Sequence, residues 1–282
     1  MPDPAIAKST TPIVLTIAGS DSGGGAGIQA DIKAISAIGS YACSAITAIT
    51  AQNTQGVSAI FPIPLEHVAA QLDAVFSDIR VSAVKIGMLA DAEIIRVVAD
   101  RIRQYSPTHL VLDPVMVATS GDPLLEQSAI STLKSELLGL ATIITPNLPE
   151  AALLTGQPIP RSEAEMLDMV SSLRQLNAQA VLLKGGHLSD SVDSVDLLIT
   201  KDDVLRLSAK RIATQNTHGT GCTLSSAIAS YLAQGYALPE AVSAAKDYLS
   251  QAIAAADTLQ IGQGHGPVHH FFARSERSQG QG

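Results

Sequence analysis

The chain has 282 residues and carries 18 Lys and Arg against 26 Asp and Glu, a formal net charge of −8. Hydrophobic residues make up 46% and charged residues 16%, enough apolar matter for a full core and far from a disordered composition. A pI near 5.3 with no Lys/Arg run excludes tracking along a nucleic-acid backbone and disfavours an anionic membrane surface.

In chain order, residues 1–11 read as a flexible terminus, and Met1-Pro2-Asp3-Pro4 lacks the basic-then-apolar layout of a signal peptide. Short runs rich in Val, Ile and Leu follow at 13–18, 44–49, 83–88, 109–112, 142–145 and 180–184. Their nearly continuous hydrophobicity predicts parallel strands buried on both faces. Helical stripes lie between and after them: Leu65, Val68, Leu72, Val75, Phe76 and Ile79; then Met166, Val170 and Leu173; then Leu224, Ile228, Tyr231 and Leu232. This alternation predicts βαβ units, a mostly parallel central sheet with helices on both faces. Residues 196–200 and 204–207 flank Lys201-Asp202-Asp203 and predict a hairpin, an antiparallel edge on that sheet. No linker or repeat divides residues 12–272, which are expected to form one domain, and 273–282 read as a second flexible terminus.

The mean hydropathy of +0.25 comes largely from alanine, and no stretch approaches the 18 or so apolar residues of a membrane span. Two cysteines, Cys43 and Cys222, support neither a disulfide scaffold nor a zinc ribbon. The expectation is a soluble, cytoplasmic protein of a reducing compartment.

Ligands of open parallel sheets sit beyond the carboxyl ends of the strands. At those ends stand Gly19-Ser20-Asp21-Ser22-Gly23-Gly24-Gly25-Ala26-Gly27, Gln52-Asn53, Met88, Asp113-Pro114, Pro146-Asn147 and Lys184-Gly185-Gly186-His187. Gly25-Ala26-Gly27-Ile28-Gln29-Ala30 fits G-x-G-x-x-A, but polar residues separate it from its strand and the second strand ends in Thr50-Ala51-Gln52 without the ribose-binding acid. A loop that caps a helix and lines a small substrate suits it better. No Walker A signature occurs.

Thr217-His218-Gly219-Thr220-Gly221-Cys222-Thr223 opens the last stripe, so its N–H groups form a helix's first turn, an anion site that glycine lets a phosphate approach. That field is expected to lower the thiol pKa of Cys222; the bland alternative is a small cysteine buried near a cap. Asp113 and Glu150, after separate strands, suit a hard cation such as Mg²⁺, although Asn147 and Glu150 also read as an N-cap and its capping-box partner. Lys184 closes an apolar strand, where an ammonium calls for an anion. His187, His218 and His265 are too scattered for a metal triad.

Taken in order, Ala18-Gly19-Ser20-Asp21-Ser22-Gly23-Gly24-Gly25-Ala26-Gly27-Ile28-Gln29-Ala30-Asp31, Thr50-Ala51-Gln52-Asn53, Lys85-Ile86-Gly87-Met88-Leu89, Leu112-Asp113-Pro114-Val115-Met116, Pro146-Asn147-Leu148-Pro149-Glu150, Lys184-Gly185-Gly186-His187, residues 219–222 and Gly264-His265-Gly266-Pro267 resemble the hydroxymethylpyrimidine/phosphomethylpyrimidine kinases of the ribokinase-like superfamily. The superfamily's usual base is an aspartate where this chain has Cys222, a substitution typical of pyrimidine and related pyridoxal kinases. The resemblance implies ATP-dependent phosphorylation of 4-amino-5-hydroxymethyl-2-methylpyrimidine to its monophosphate and then its diphosphate, in thiamine biosynthesis, by a homodimer.

It further implies that Gly219, Thr220 and Gly221 receive the transferring phosphoryl group, with Lys184 beside them and Cys222 as base. Gln52, Asp31, Gly19 and Met88 would bind the pyrimidine, and Gln52 carries the donor and acceptor an aminopyrimidine edge needs. Lys184, Asn147, Thr217 and His218 would bind ATP, and Asp113 and Glu150 would hold Mg²⁺. Rival readings are a pyridoxal kinase of the same fold, a thiol hydrolase using Cys222 with His218, and a non-catalytic binding protein.

Overall fold

A computed structural model describes residues 11–116, 127–186, 188 and 193–273. Residues 1–10 and 274–282, most of the expected flexible termini, and His187 lie outside the described residues.

The first half runs β1 (Ile13–Asp21), α1 (Gly27–Ile38), β2 (Tyr41–Asn53), β3 (Gly56–Pro62), α2 (Leu65–Asp78), β4 (Ala83–Ile86), α3 (Ala92–Tyr105) and β5 (Leu110–Leu112). The second half adds α4 (Gln127–Glu136), β6 (Ile143–Ile144), α5 (Leu148–Thr155), α6 (Glu163–Asp168), α7 (Val170–Arg174), β7 (Val181–Lys184), β8 (Asp193–Ile199), β9 (Val204–Lys210), α8 (Thr220–Ala233) and α9 (Leu238–Ala254). All strands join one sheet of order β3-β2-β1-β4-β5-β6-β7-β8-β9. The six strands from β2 to β7 are mutually parallel, while β3 at one edge and β8 and β9 at the other run antiparallel to their neighbours.

The six predicted strands and the hairpin are present. The second stripe divides at Met169 into the two short helices α6 and α7. Strand β3 was not anticipated: five of its seven residues are exposed, so backbone pairing with β2 holds it and no buried face marks it.

Alternation of side chains splits the strands between two cores. Leu15, Ile17, Val84, Ile86, Leu110, Leu112, Ile144 and Leu183 pack under α2, α3, α4 and α5. Val14, Ala83, Val111, Ile143 and Leu182 face α1, α8 and α9. Full burial of a Leu or Ile side chain contributes roughly 1.5–3 kcal/mol, so both faces are committed to helices and function is left to the strand ends. Lys85 shares the alternation of Ala83, and its ammonium therefore enters the second core, between α1 and α8.

Candidate active site

Helix α8 begins at the carboxyl end of the parallel strands. Its N-cap, Gly219, has φ +80, and a Cβ there would overlap the Gly25 carbonyl oxygen. One turn in, the Thr223 hydroxyl donates to the Gly219 carbonyl at 2.8 Å. His270, which burial keeps neutral with its pKa lowered to about 4, then donates from Nε2 to that hydroxyl at 3.0 Å. The first turn of α8 is thus fixed from below, with its N–H groups aimed past the sheet.

Facing it is a cluster of charges. Lys184 Nζ lies 3.0 Å from Asp113 Oδ1, which also accepts from the Thr145 hydroxyl at 3.0 Å. A Cβ on Gly221 would stand 3.3 Å from Asp113 Oδ2 and 3.5 Å from Lys184 Nζ, so the helix start and the ion pair adjoin. Burial opposes ionisation of Asp113, yet Lys184 and Lys85 hold it below the usual carboxylate range. Burial likewise opposes the charge on Lys184, and Asp113 and Glu150 outweigh it. Glu150 fares differently: burial, with Asp113 adding to it against the pull of Lys184, lifts it to about 7. Its Oε2 accepts from the Asn147 N–H at 2.8 Å while Asn147 Oδ1 accepts from the Glu150 N–H at 2.9 Å, so the capping box exists as well.

Behind the same turn lies Cys222. Burial pushes its thiol up to about 11; Lys85 and the Gly27 N–H pull it down, while Asp31 and Asp113 raise it further. The expected lowering by the helix field is therefore corrected: desolvation and two carboxylates outweigh one dipole. Cys43, half-buried in β2, is also raised to about 11 by burial and fills space against the first core. Asp31 is corrected too. Its carboxylate is fully buried and takes bonds from Lys85 Nζ at 2.8 and 2.9 Å, Thr16 at 2.6 Å and Ser226 at 2.7 Å. All its lone pairs are engaged by the core, which leaves nothing to face a substrate.

The other residues expected to meet a pyrimidine are Gly19, Met88 and Gln52. The Met88 thioether closes over Gly19, where a Cβ would come within 2.6 Å of its Cε. Gln52 approaches Thr50 at 3.1 Å and His218 at 3.3 Å, and its backbone N–H donates to Ser22 Oγ at 2.8 Å. The glycine loop is folded around an anion of its own: Asp21 accepts from the N–H groups of Gly23 at 2.8 Å, Gly25 at 3.0 Å and Ala26 at 2.8 Å. With those donors taken, the loop has no nest for a pyrophosphate, which is the physical reason that its dinucleotide-like spacing is misleading. His218 Nε2 lies 3.0 Å from Asp21 Oδ2 and 3.3 Å from Gln52 Nε2, so its ring joins this loop and Gln52. Thr217 precedes it in a tight turn, its carbonyl accepting from Thr220 N–H at 3.3 Å.

The structure thus gathers Lys184, Asp113, Glu150, Asn147 and residues 219–222 on one side, and Gly19, Met88 and Gln52 on the other. Sequence reasoning missed Lys85, the structural role of Asp21, and a second buried pair in which Lys246 meets Asp196 at 2.6 Å while Asp196 accepts from the Gly185 N–H at 2.9 Å. That pair anchors the turn after Lys184. The signal for Lys85 was available, since an ammonium inside a four-residue buried strand demands a carboxylate.

Two carboxyl groups beside one ammonium, Glu150 lifted chiefly by its burial, offer the hard oxygen donors that suit a divalent cation keeping waters and substrate phosphate around it. Among the described residues no group of three His, Cys, Asp or Glu side chains could cage a metal.

Comparison with known proteins gives the family and the fold. A hydroxymethylpyrimidine/phosphomethylpyrimidine kinase of Rhizobium meliloti is 58% identical over 261 residues, 93% of this chain and 97% of that protein. The ADP complex of Bacillus subtilis pyridoxal kinase superposes with a TM-score of 0.87 at 36% identity, covering 94% of this chain and 99% of that one. Clostridium difficile phosphomethylpyrimidine kinase superposes with a TM-score of 0.76 at 46% identity, covering 86% and 99%. The fold is ribokinase-like, and with a match to the phosphomethylpyrimidine kinase family across residues 21–269, the chain belongs to that family.

Proposed function

We propose that the chain transfers the γ-phosphoryl group of ATP to the hydroxymethyl oxygen of 4-amino-5-hydroxymethyl-2-methylpyrimidine, and then a second one to the monophosphate, within thiamine biosynthesis. The observation that carries this is the meeting of Gly221, Lys184 and Asp113 at the start of α8, beside relatives that share over half their residues with the chain. Phosphoryl transfer asks for positioning and charge neutralisation more than for covalent chemistry.

The N–H groups of Gly219, Thr220 and Gly221 receive the charge on the transferring oxygens, and Lys184 neutralises the polyphosphate. Asn147 has its carboxamide oxygen in the helix cap, so its amino group is the part left to contact the nucleotide, to which Thr217 also contributes. Asp113 and Glu150 would hold Mg²⁺, which when bound would neutralise charge on the polyphosphate. In the first transfer the alcohol proton passes to Cys222 Sγ as the new O–P bond forms, the β–γ bridge bond breaks and ADP leaves. The resting thiol is protonated, so only its thiolate form serves as base and this step quickens as pH rises. The second acceptor is already ionised and needs no base. Gly19, Met88 and Gln52 shape the pyrimidine site.

Residues 12–272 act as a single kinase domain, in the cytoplasm and as a homodimer, for which the exposed apolar side chains Tyr41, Ile49, Ile60 and Phe61 on β2 and β3 offer a surface. Among the described residues no helix is long and apolar enough to cross a membrane. Pyridoxal kinase is the second reading, favoured by the superposition on the Bacillus subtilis enzyme. A protonated, desolvated thiol argues against a thiol hydrolase. Incubation with ATP, Mg²⁺ and each alcohol, with products resolved by mass, tests the assignment. A pyrimidine diphosphate is expected; a pyridoxal monophosphate alone would overturn it.

A further inference from the structure

Strands β7 and β8 run antiparallel with Lys184 directly opposite Asp196. Residues opposed in this way put their side chains on the same face, with Cβ atoms about 4.5–5.5 Å apart. That face also carries Leu182 and Leu198, the opposed pair two positions back along β7, and both leucines belong to the second core. An ammonium and a carboxylate thus leave the sheet side by side, and attraction alone would pair them. Instead, Lys184 Nζ goes to Asp113 Oδ1 at 3.0 Å, and Asp196 Oδ2 goes to Lys246 Nζ of α9 at 2.6 Å.

The surroundings of Asp196 explain why its cation matters. Its Oδ1 accepts from the Gly185 N–H at 2.9 Å, so the carboxylate joins α9 to the turn that follows Lys184. Gly185 itself lies flat against β8, where a Cβ would overlap the Val195 carbonyl oxygen. Arg211 also reaches this turn, but its guanidinium is committed to the Gly186 and Leu188 carbonyls at 2.7 and 2.8 Å. Asp196 and Lys246 are both buried, and a buried carboxylate without a counter-ion is costly. With Lys246 gone, the ammonium best placed to satisfy Asp196 is the one opposite it, that of Lys184.

We propose that Lys246 is a positioning residue for phosphoryl transfer: by neutralising Asp196 it keeps Lys184 turned away from its cross-strand neighbour and towards Asp113 and the start of α8. This rests on the reading of Lys184 as the lysine that neutralises the polyphosphate. Gly221 marks where that ammonium has to stay, since a Cβ there would stand 3.5 Å from Lys184 Nζ. Captured by Asp196, Lys184 would be drawn towards α9 and away from Asp113. The role differs from holding the fold together, because it depends on the charge of one carboxylate and not on the ion pair as such.

Breaking the pair from either end separates the two roles. The comparison is made in the full-length enzyme with Mg²⁺, the pyrimidine alcohol and varied ATP, with melting temperatures measured alongside. Lys246→Met leaves Asp196 charged and is expected to lower kcat/KM for ATP by about tenfold or more. Asp196→Asn leaves Lys246 without its anion but keeps an oxygen for the Gly185 N–H, so it should melt lower yet hold kcat/KM for ATP within about twofold. The double variant of Lys246→Met with Asp196→Asn should recover most of what Lys246→Met loses. Lys246→Gln, neutral but still a donor, carries the same comparison if Lys246→Met folds poorly. Equal losses of kcat/KM in the two single variants, or full activity in Lys246→Met, overturn the inference, and the pair would then serve stability alone. Lys184→Met tests the underlying reading separately: unchanged kcat/KM for ATP in that variant would remove the role of Lys184, and the inference with it.

Discussion

Two Lys–Asp pairs flank the first turn of α8, and they have opposite characters. Behind the helix, Lys85 and Asp31 are fully buried, and Asp31 has Thr16 and Ser226 as further donors. In front, Lys184 keeps 16% of its side-chain surface, and its partner Asp113 adjoins Glu150, a carboxyl only half committed to ionisation near neutral pH. Both pairs join a strand lysine to a carboxylate contributed by another element. The rear one is saturated with protein donors and therefore structural. The front one has charge left over, and that remainder is what a polyphosphate and its cation can use. Saturation, more than residue type, separates scaffold from chemistry here.

Breaking the rear pair should give the largest effect. Lys85→Met strands the Asp31 carboxylate in the second core and is expected to cost about 3–5 kcal/mol in urea unfolding, while the double variant with Asp31→Asn recovers much of the loss. A loss under about 1 kcal/mol would mean that the pair is not dry. Breaking the front pair should separate stability from activity. Lys184→Met leaves Asp113 with Lys85 nearby and water within reach, so it unfolds less readily than Lys85→Met, yet kcat is expected to fall by about 10²–10³.

Cys222 lies between the two pairs and feels both. Cys222→Ala should slow the first transfer by about 10² while slowing the second only slightly, because the monophosphate brings its own anionic nucleophile. In the unmodified enzyme the first transfer should rise with pH towards about 11 and the second should stay nearly flat above neutrality. Equal losses in both transfers would remove Cys222 as base.

How much of this was legible in the sequence follows from the same contrast. Strand ends, the glycine start of α8 and the residues of the front cluster stood out because hydrophobic runs stop beside them. Lys184 was noticed because it ended a run; Lys85 was overlooked because it sits inside one, although its burial is the more extreme. The direction of the Cys222 shift is not legible in sequence because a helix start is visible there, whereas the burial of the thiol, its main cause, and the approach of Asp31 and Asp113 arise only in the fold. Strand β3 escaped because an edge strand with exposed residues leaves no period to read. The contact between His218 and Asp21 depends on loops that only the fold brings together.

The smallest expected effect is also the sharpest probe of the front pair's leftover charge. In the folded, metal-free protein Glu150 is raised to about 7 from the 4.5 of an ordinary glutamate. Between those values the folded state binds more protons than the unfolded one, so this residue makes stability fall as pH rises from about 4.5 to 7, with the full loss present above 7. Glu150→Gln removes the charge and keeps the capping box, since glutamine serves equally at that position. With a chelator present, the variant should therefore melt higher than the parent at pH 8, by a few degrees for a gain on the order of 1–2 kcal/mol, and the two should converge near pH 4. A constant difference at every pH would point to packing as its source. A variant less stable at pH 8 would mean that Lys184 already neutralises both carboxylates, and that the front pair is as saturated as the rear one.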